Sequence, residues 1–214
     1  MFNTPLLLFD LDGVLLDSES DVSWLERSIQ KTLTHFHIPL TDENMRHLHF
    51  ENVEKFREIS KNLGIDQEVL WPIRNKYYID EKLYAMKQRI IQPFQDVPLL
   101  YQLEDNFIFG IISNSPQIIV DFFVSEFGFS DLFSINIGRG NAIWDIEHLK
   151  PDLFLLTKIK KQIDTIEFLY VGDRESDREF AKRANMKYCH LNREVKEPDS
   201  FSNFSELVTF LLHL

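Results

Sequence analysis

Short apolar runs and stretches with helical spacing alternate along much of the chain. Residues 5–9 form a continuous apolar run, which is typical of a strand buried on both faces of a parallel sheet. Three similar runs follow at Phe107–Ile112, Leu132–Ile137 and Phe168–Val171. Helical patterns lie between and after these runs, at Pro98–Leu103, Gln117–Phe127, Asp152–Ile163 and Ser176–Ala184. Strands that alternate with helices predict an α/β fold with a doubly wound parallel sheet, similar to a Rossmann fold.

Residues 17–91 form a segment, here called the helical insert, that breaks this alternation. We find no strand pattern in it, and its polar residues indicate four helices instead. The predicted starts of these helices are, in chain order, a capping box at Ser18–Asp21, then Thr41, Asn52 and Pro72. The fourth helix is predicted to continue through Tyr84.

The helical insert divides the chain into two predicted domains. We expect residues 1–16 and 92–214 to form an α/β core, and residues 17–91 to form an all-helical cap. The connections near Leu16–Asp17 and Ile91–Pro93 would act as hinges of a mobile cap. The alternative is a helical subdomain that packs rigidly on the sheet.

Composition excludes several functional classes. The formal net charge of −11 argues against a basic nucleic-acid surface, because phosphate contacts need clustered Lys and Arg. The single cysteine, Cys189, excludes an internal disulfide and suits a reducing compartment. No apolar run approaches the roughly 20 residues of a membrane-spanning helix. We therefore expect a cytoplasmic protein, monomeric or dimeric, with neither a nucleic-acid nor a membrane partner.

Acidic residues follow the first and the fourth predicted strands. Asp10 and Asp12 come directly after the first strand, and Gly13 allows the chain to turn tightly there. Asp173 and Asp177 come after the fourth strand. A carboxylate pair can divide the roles of nucleophile and acid/base, and clustered carboxylates are ligands that Mg²⁺ prefers. The simpler alternative is that these residues are solvated loop acids or stabilise a helix N-terminus.

Polar residues also follow the second and third strands. Ser115 and Pro116 predict a helix start, so Ser113 would lie near a helix N-terminus, where a phosphate is favoured. Lys150 follows the third strand and a loop, where a cation could neutralise a carboxylate and a phosphoryl group together. Taken singly, these features are better explained by a plain helix start and a solvated surface lysine.

Four motifs together carry a family resemblance. They are Asp10–Val14, Ser113–Asn114, Lys150–Pro151 and Gly172–Asp177. In this order, each at the end of a predicted strand, they resemble the haloacid dehalogenase-like (HAD-like) hydrolase superfamily. The helical insert and the junction residues Asp17–Ser18 and Pro93–Val97 resemble the phosphoglycolate phosphatase-like branch.

The resemblance implies a role for each motif. Asp10 would be the nucleophile that forms an aspartyl-phosphate, and Asp12 would protonate the leaving oxygen and then activate water. Ser113 and Asn114 would bind the phosphoryl group, while Lys150 would neutralise charge. The implied Mg²⁺ would be held by Asp10, the backbone carbonyl of Asp12, and Asp173, with Asp177 supporting the metal shell.

The chain departs from the family pattern at three places. Lys150–Pro151 runs directly into Asp152–Phe154, where the family often has Lys-Pro-x-Pro, so the following helix is expected to start early. Arg174 stands where Ser is common, and His49–Glu51 stand where the family often has a cap glycine. Six cations are candidates for facing a substrate, although a surface position is the simpler expectation for each: Arg46, His47, His49, Arg74, Lys76 and Arg139.

The expected activity is Mg²⁺-dependent hydrolysis of a small phosphorylated metabolite. A β-phosphoglucomutase-like phosphomutase is the first alternative, but Val22 stands where those relatives have a cap His, and valine cannot transfer a proton. A dehalogenase is a weaker alternative, because those relatives lack a carboxylate at the position of Asp12. A catalytically silent HAD-fold binding protein is the alternative from another functional class.

Overall fold

The computed structural model describes residues 4–48, 52–163, 167–195 and 197–213. The strands are β1 (Leu6–Phe9), β2 (Leu16–Asp17), β3 (Gln92–Pro93), β4 (Ile108–Pro116), β5 (Phe133–Arg139), β6 (Phe168–Gly172), β7 (Lys187–Leu191) and β8 (Ser200–Phe201). The α-helices are α1 (Ser23–His35), α2 (Asp42–His47), α3 (Val53–Leu63), α4 (Gln67–Lys87), α5 (Gln117–Glu126), α6 (Phe154–Lys160), α7 (Glu175–Arg183) and α8 (Phe204–Leu211). Two 3₁₀ helices span Val97–Leu103 and Ile143–His148.

Six strands form one parallel sheet in the order β5-β4-β1-β6-β7-β8. Strand β1 lies between β4 and β6, with Leu6 opposite both Ile108 and Phe168. The doubly wound α/β prediction is therefore confirmed. The order reverses beside β1, and in such sheets ligands bind beyond the carboxyl ends of the strands at this point.

The buried core lies on both faces of the sheet. On one face, Phe9 packs against the rings of Phe109, Phe133 and Phe204, with ring centroids about 6 Å apart. Leu8 points to the opposite face, where the second cluster of buried residues forms. Because both faces of β1 are buried, its sequence is a continuous apolar run rather than an alternating one.

Strands β7 and β8 and helix α8 were not predicted. In β7, only Cys189 and Leu191 are fully buried, so no continuous apolar run marks this strand. Strand β8 has two residues, which is too short for any periodic pattern. The predicted helix at Pro98–Leu103 is a 3₁₀ helix, and α6 begins at Phe154 rather than Asp152.

The helical insert contains α1–α4, as predicted, but two of the predicted starts are wrong. Helix α1 begins after Val22 without a side-chain cap, and Ser18 donates its hydroxyl proton to Asp12 instead of capping a helix. Helix α4 begins after Asp66, which accepts from the backbone N–H of Glu68. Pro72 therefore lies inside α4 rather than at its start.

The other two starts are confirmed. The Thr41 side chain caps α2 by accepting a hydrogen bond from the backbone N–H of Asn44. The Asn52 side chain caps α3 by accepting a hydrogen bond from the backbone N–H of Lys55. Gly64 ends α3 with a φ of 66°, a left-handed conformation that glycine adopts at low cost.

The two ends of the helical insert lie side by side. Strands β2 and β3 pair antiparallel, with Leu16 opposite Pro93 and Asp17 opposite Gln92. Both chain crossings between the insert and the sheet therefore pass through one short ribbon. Within the described ranges, no helix has both the length and the apolar character needed to cross a membrane.

Candidate active site

Side chains from four segments meet at the carboxyl end of the sheet. Asp10 follows β1, and the Lys150 Nζ lies 2.9 Å from its Oδ1. The same Nζ lies 2.6 Å from Asp177 Oδ1 and donates to the Tyr170 hydroxyl oxygen at 2.6 Å. Lys150 is thus a buried cation shared by two carboxylates, and the expectation of a surface lysine is wrong.

Two glycines make room for this arrangement. Gly13 has a φ of 76°, and a Cβ at this position would lie 2.4 Å from Asp173 Oδ2. A Cβ at Gly172 would lie 2.4 Å from the Cβ of Asp177. Any larger residue at either position would push an aspartate away, so these glycines are required for the close approach of the acids.

Asp10, Asp173 and Asp177, here called the acidic cluster, have carboxylate oxygens within 4.8 Å of one another. Burial raises the pKa of Asp173 to about 8, and the charges of Asp10 and Asp177 add to this shift. Burial also raises the pKa of Asp10 to about 6, although the charge of Lys150 opposes it. Of the described residues, two cations contact the cluster, Lys150 and Arg174, whose Nε lies 3.7 Å from Asp173 Oδ2, so one of the three negative charges is left unbalanced.

The donor set of the acidic cluster fits a hard divalent cation. Asp173 Oδ1 is buried, and no hydrogen-bond partner for it is found among the described residues. Both oxygens of Asp177 already have hydrogen-bond partners. Oδ1 contacts Lys150 and Tyr170, and Oδ2 accepts from the backbone N–H of Arg174 at 3.2 Å. Asp10 and Asp173 are thus the carboxylates with oxygens available to a cation such as Mg²⁺.

Asp12 points into a different environment from Asp10. Its Oδ1 accepts from Ser18 Oγ at 2.7 Å and from Lys82 Nζ at 2.6 Å, and its Oδ2 accepts from Ser115 Oγ at 2.7 Å. Burial alone would raise the pKa of Asp12, but the charge of Lys82 and these hydrogen bonds lower it to about 2. The structure therefore places two neighbouring acids in opposite electrostatic environments.

Lys82 on α4 is a functional candidate that sequence reasoning missed. It is 1% exposed, donates to Ser115 Oγ at 2.9 Å and lies 5.0 Å from the Trp24 ring centroid. Burial would lower its pKa, but the charge of Asp12 raises it overall. Lys82 and Tyr78 are four residues apart, so the sequence places them on the same face of a helix. The sequence does not show which residues that face contacts.

Ser113 and Asn114 lie on β4, the strand that pairs with β1. Ser113 Oγ is buried and accepts from the backbone N–H of Ser115 at 3.1 Å. Asn114 Oδ1 accepts from the backbone N–H of Lys150 at 2.7 Å, which holds the Lys150 loop in place. Ser115 was expected to cap a helix; instead α5 begins after Pro116, and the Ser115 hydroxyl bonds to Asp12.

The candidate substrate-facing cations divide into two groups. Arg46 and Lys76 are exposed, and Lys76 pairs with Asp80 at 2.5 Å. Arg74 and Arg139 are 4% and 6% exposed, so the simpler expectation of a surface position is wrong for both. His49 and the segment His49–Glu51 lie outside the described residues, as does the side chain of His47.

Asp10 and Asp177 of the acidic cluster are buried in this structure, whereas the Asp173 side chain is 16% exposed. Asp10 is 7% exposed, and Ser113 and Lys150 are also buried. A cavity of about 310 Å³ is found elsewhere, along α4, lined by Pro72, Asn75, Lys76, Ile79, Asp80 and Asn141. Asp10 is therefore largely shielded from solvent in this arrangement.

Known proteins share the family and the fold of this chain. The family model described as haloacid dehalogenase-like hydrolase matches residues 7–191. A phosphoglycolate phosphatase from Yersinia pestis is 28% identical over 180 residues, which cover 79% of this chain and 72% of that protein. An N-acetylmuramic acid 6-phosphate phosphatase from Pseudomonas aeruginosa is 22% identical over 200 residues, covering 90% and 84%. The HAD-hydrolase YfnB from Bacillus subtilis, solved with bound magnesium, shares the fold with a TM-score of 0.65 at 17% identity, covering 98% of this chain and 99% of that chain.

Proposed function

Because the chain belongs to the haloacid dehalogenase-like hydrolase family, we propose that it hydrolyses a small phosphorylated metabolite, with Mg²⁺, through an aspartyl-phosphate at Asp10. The coarser activity, hydrolysis of phosphoric monoesters, follows from the family together with the phosphatase relatives. The observation that carries the finer proposal is the contact of Asp10 with Lys150, beside the unpartnered oxygen of Asp173.

Asp10 is arranged as a nucleophile. Its Oδ1 accepts from the backbone N–H of Leu11 at 2.7 Å and lies 2.9 Å from Lys150 Nζ, so Oδ2 is the oxygen left to attack phosphorus. In the proposed first step, a bond forms from Asp10 to phosphorus and the ester P–O bond breaks. Lys150 offsets the charge that gathers on the transferred group, which is the main way that proteins promote phosphoryl transfer.

Asp12 is proposed to act first as the general acid and then as the general base. It gives a proton to the leaving oxygen in the first step and takes one from the attacking water in the second. Its hydrogen bonds to Ser18, Lys82 and Ser115 hold it ionised, which suits the second step. Before the first step it must gain a proton, and separation of Lys82 from Asp12 would favour this gain.

Mg²⁺ would be held by Asp10 and Asp173, with Asp177 as support; the family resemblance adds the backbone carbonyl of Asp12. When bound, the ion supplies positive charge that offsets repulsion between Asp10 and the phosphoryl group. The excess negative charge of the acidic cluster supports this assignment, and so does the magnesium in the Bacillus subtilis relative.

We further propose that residues 17–91 are a mobile cap on a core formed by residues 1–16 and 92–214. The burial of Asp10 requires an opening movement for substrate entry. The β2–β3 ribbon is the natural pivot, because both connections pass through it. In the closed arrangement, the ion pair between Lys82 and Asp12 joins cap to core at the proposed acid/base residue.

Phosphate release from p-nitrophenyl phosphate tests the proposed function. We expect release in Mg²⁺ and at least a tenfold loss in excess EDTA, which Mg²⁺ restores. Glu175→Ala is the control variant and should behave like the wild type, because it removes an exposed acid that pairs with Arg178. No release with Mg²⁺ from any of a panel of sugar, nucleotide and small-acid phosphates would favour the silent binding protein and contradict the proposal.

The phosphomutase alternative needs a separate experiment. A mutase must keep its phosphoenzyme from water, but Val22 is 45% exposed at the start of α1 and carries no proton-transfer group. The enzyme is incubated with β-glucose 1-phosphate, a trace of glucose 1,6-bisphosphate and Mg²⁺. We expect free phosphate without isomerised product; glucose 6-phosphate that forms faster than phosphate would establish the mutase instead.

A further inference from the structure

Two buried guanidinium groups near the proposed active site have no acidic partner. Within the described part of the chain, neither Arg74 on α4 nor Arg139 at the end of β5 forms an ion pair with a carboxylate. We propose that Arg74 and Arg139, here called the arginine pair, bind a second anionic group of the substrate, such as a carboxylate. This proposal rests on the proposed function, because it names the class of phosphate ester that the enzyme hydrolyses.

The arginine pair is continuous with the proposed active site through one face of α4. Arg74, Tyr78 and Lys82 are spaced four residues apart and therefore lie on the same face of the helix. Lys82 contacts Asp12 at 2.6 Å, and the Tyr78 hydroxyl lies 3.3 Å from Lys82 Nζ and 3.4 Å from Ser115 Oγ. Arg74 and Lys82 are separated by about 12 Å along the helix axis, a distance that two long side chains and a small metabolite can span.

Arg139 is held in place by neutral groups. It donates to Asn75 Oδ1 at 2.7 Å and to the Gly140 carbonyl oxygen at 2.9 Å, and its guanidinium lies 5.0 Å from the Trp71 ring centroid. Asp145 acts on Arg139 electrostatically, but its Oδ2 accepts from the backbone N–H of Ala142 at 2.8 Å. These contacts orient the guanidinium without neutralising its charge.

Over the residues that the structure describes, Arg74 has fewer hydrogen bonds than Arg139. Its Nη1 lies 3.4 Å from Ser28 Oγ, its guanidinium lies 5.4 Å from the Tyr78 ring centroid, and its buried Nε has no hydrogen-bond partner among the described residues. Burial lowers the pKa of Arg74 to about 10; Tyr78 opposes this shift, and the charge of Arg139 adds to it. The two cations therefore repel each other.

A bound anion would offset the repulsion between these two cations. An unpaired buried charge is costly to maintain, and the cost is greater when a like charge is nearby. A carboxylate would accept hydrogen bonds from guanidinium groups in the planar, forked geometry that arginine favours. Packing on Trp71 and Tyr78 explains the position of the two side chains, but it does not explain why cations were placed there without a partner.

Matched substrate pairs test the proposal. Each pair joins a phosphorylated acid with the alcohol that lacks its carboxylate: phosphoglycolate with 2-hydroxyethyl phosphate, 3-phosphoglycerate with glycerol 3-phosphate, and 6-phosphogluconate with sorbitol 6-phosphate. The wild type is expected to prefer at least one acid by about tenfold or more in kcat/KM, which is the scale of a hydrogen bond to a charged group. The length of the preferred acid reports the distance from Asp10 to the arginine pair.

Substitution of the arginine pair should remove that preference. In Arg74→Gln and Arg139→Gln, the acid-to-alcohol ratio of kcat/KM is expected to fall about tenfold. Arg74→Lys and Arg139→Lys keep the charge but lose the fork, so an intermediate ratio is expected, and they replace the Gln variants if these fail to fold. Lys76→Gln is the matched control, because it removes an exposed cation from the same helix and should leave the ratio unchanged.

A binding measurement separates failure of this inference from failure of the proposed function. Calorimetric titration of Asp10→Asn with the same acids and alcohols requires no turnover. Tighter binding of an acid than of its alcohol, lost in Asp10→Asn/Arg74→Gln, would support the arginine pair even if no phosphate were released. Equal binding of all acids and alcohols, or a preference unchanged in both arginine variants, would overturn the inference and leave the phosphatase proposal standing.

Discussion

The acidic cluster and the arginine pair are both largely buried, but their unbalanced charges have opposite signs. The acidic cluster has three carboxylates and, among the described residues, two cationic neighbours, Lys150 and Arg174. The arginine pair has two guanidinium groups and neutral hydrogen-bond partners. Between them, Asp12 and Lys82 form a balanced ion pair. The comparison indicates that one region is built to receive a cation and the other an anion.

Loss of the proposed nucleophile should have the largest effect. We expect Asp10→Asn to lower kcat for p-nitrophenyl phosphate by at least about a thousandfold, which corresponds to about 4 kcal/mol. Because the amide removes one charge from the acidic cluster, the melting temperature should stay within a few degrees of wild type. Residual kcat above about a tenth of wild type, a barrier change below about 1.4 kcal/mol, would exclude Asp10 as the nucleophile.

Removal of the proposed metal ligand should come next. In Asp173→Ala, we expect kcat to fall by about a hundredfold or the Mg²⁺ concentration for half-maximal activity to rise by at least tenfold, because loss of a carboxylate ligand weakens the site. Glu175→Ala, which changes an exposed acid two residues away, should match wild type. Identical Mg²⁺ dependence in wild type and Asp173→Ala would remove Asp173 from the proposed site.

Lys82 tests the link between the two regions. Lys82→Met keeps the apolar stem but removes the cation that holds Asp12 ionised, so activation of water in the second step should slow and kcat should fall by about ten- to a hundredfold. Lys76→Met, on an exposed turn of the same helix, serves as the comparison and should retain wild-type kcat. Equal kcat in the two variants would show that the contact between Lys82 and Asp12 has no part in turnover.

The smallest expected effect is on stability without metal. The raised pKa values of Asp173, about 8, and Asp10, about 6, mean that the folded state binds more protons than the unfolded state between about pH 4 and 8. In EDTA, the melting temperature should therefore fall as pH rises from 5 to 8, by a few degrees. Asp173→Asn should flatten this slope, whereas Glu175→Gln should not; an equally steep slope in Asp173→Asn would contradict the charge repulsion described here.

The acidic cluster and Lys150 could be predicted because each lies in a short contiguous motif at the end of a strand. The parallel α/β order then implies that strand ends meet, so no knowledge of side-chain packing is needed. Asp10, Asp173 and Lys150 accordingly lie together in the structure.

The residues contributed by α4 could not be predicted in the same way. Lys82 lies 70 positions from Asp12, and Arg139 lies 64 positions from Asn75, so no local pattern joins either pair. Their environment depends on how α4 packs against its neighbouring helices α1, α3 and α5, which helical periodicity does not specify. Proline is typical of the first helical position, so the sequence predicts a helix start at Pro72, although Asp66 provides the actual cap.

Direct detection of a phosphorylated Asp10 is the most direct test of the central claim. Asp12→Asn is mixed with p-nitrophenyl phosphate and Mg²⁺, quenched in acid, and its peptides are analysed by mass spectrometry. The nitrophenolate leaves without needing a proton, whereas attack by water is slowed without the Asp12 base. We expect one phosphoryl group on the peptide that contains Asp10 and none in Asp10→Asn. A phosphoryl group on another residue, or phosphate released at the wild-type rate without any phosphorylated peptide, would contradict the account.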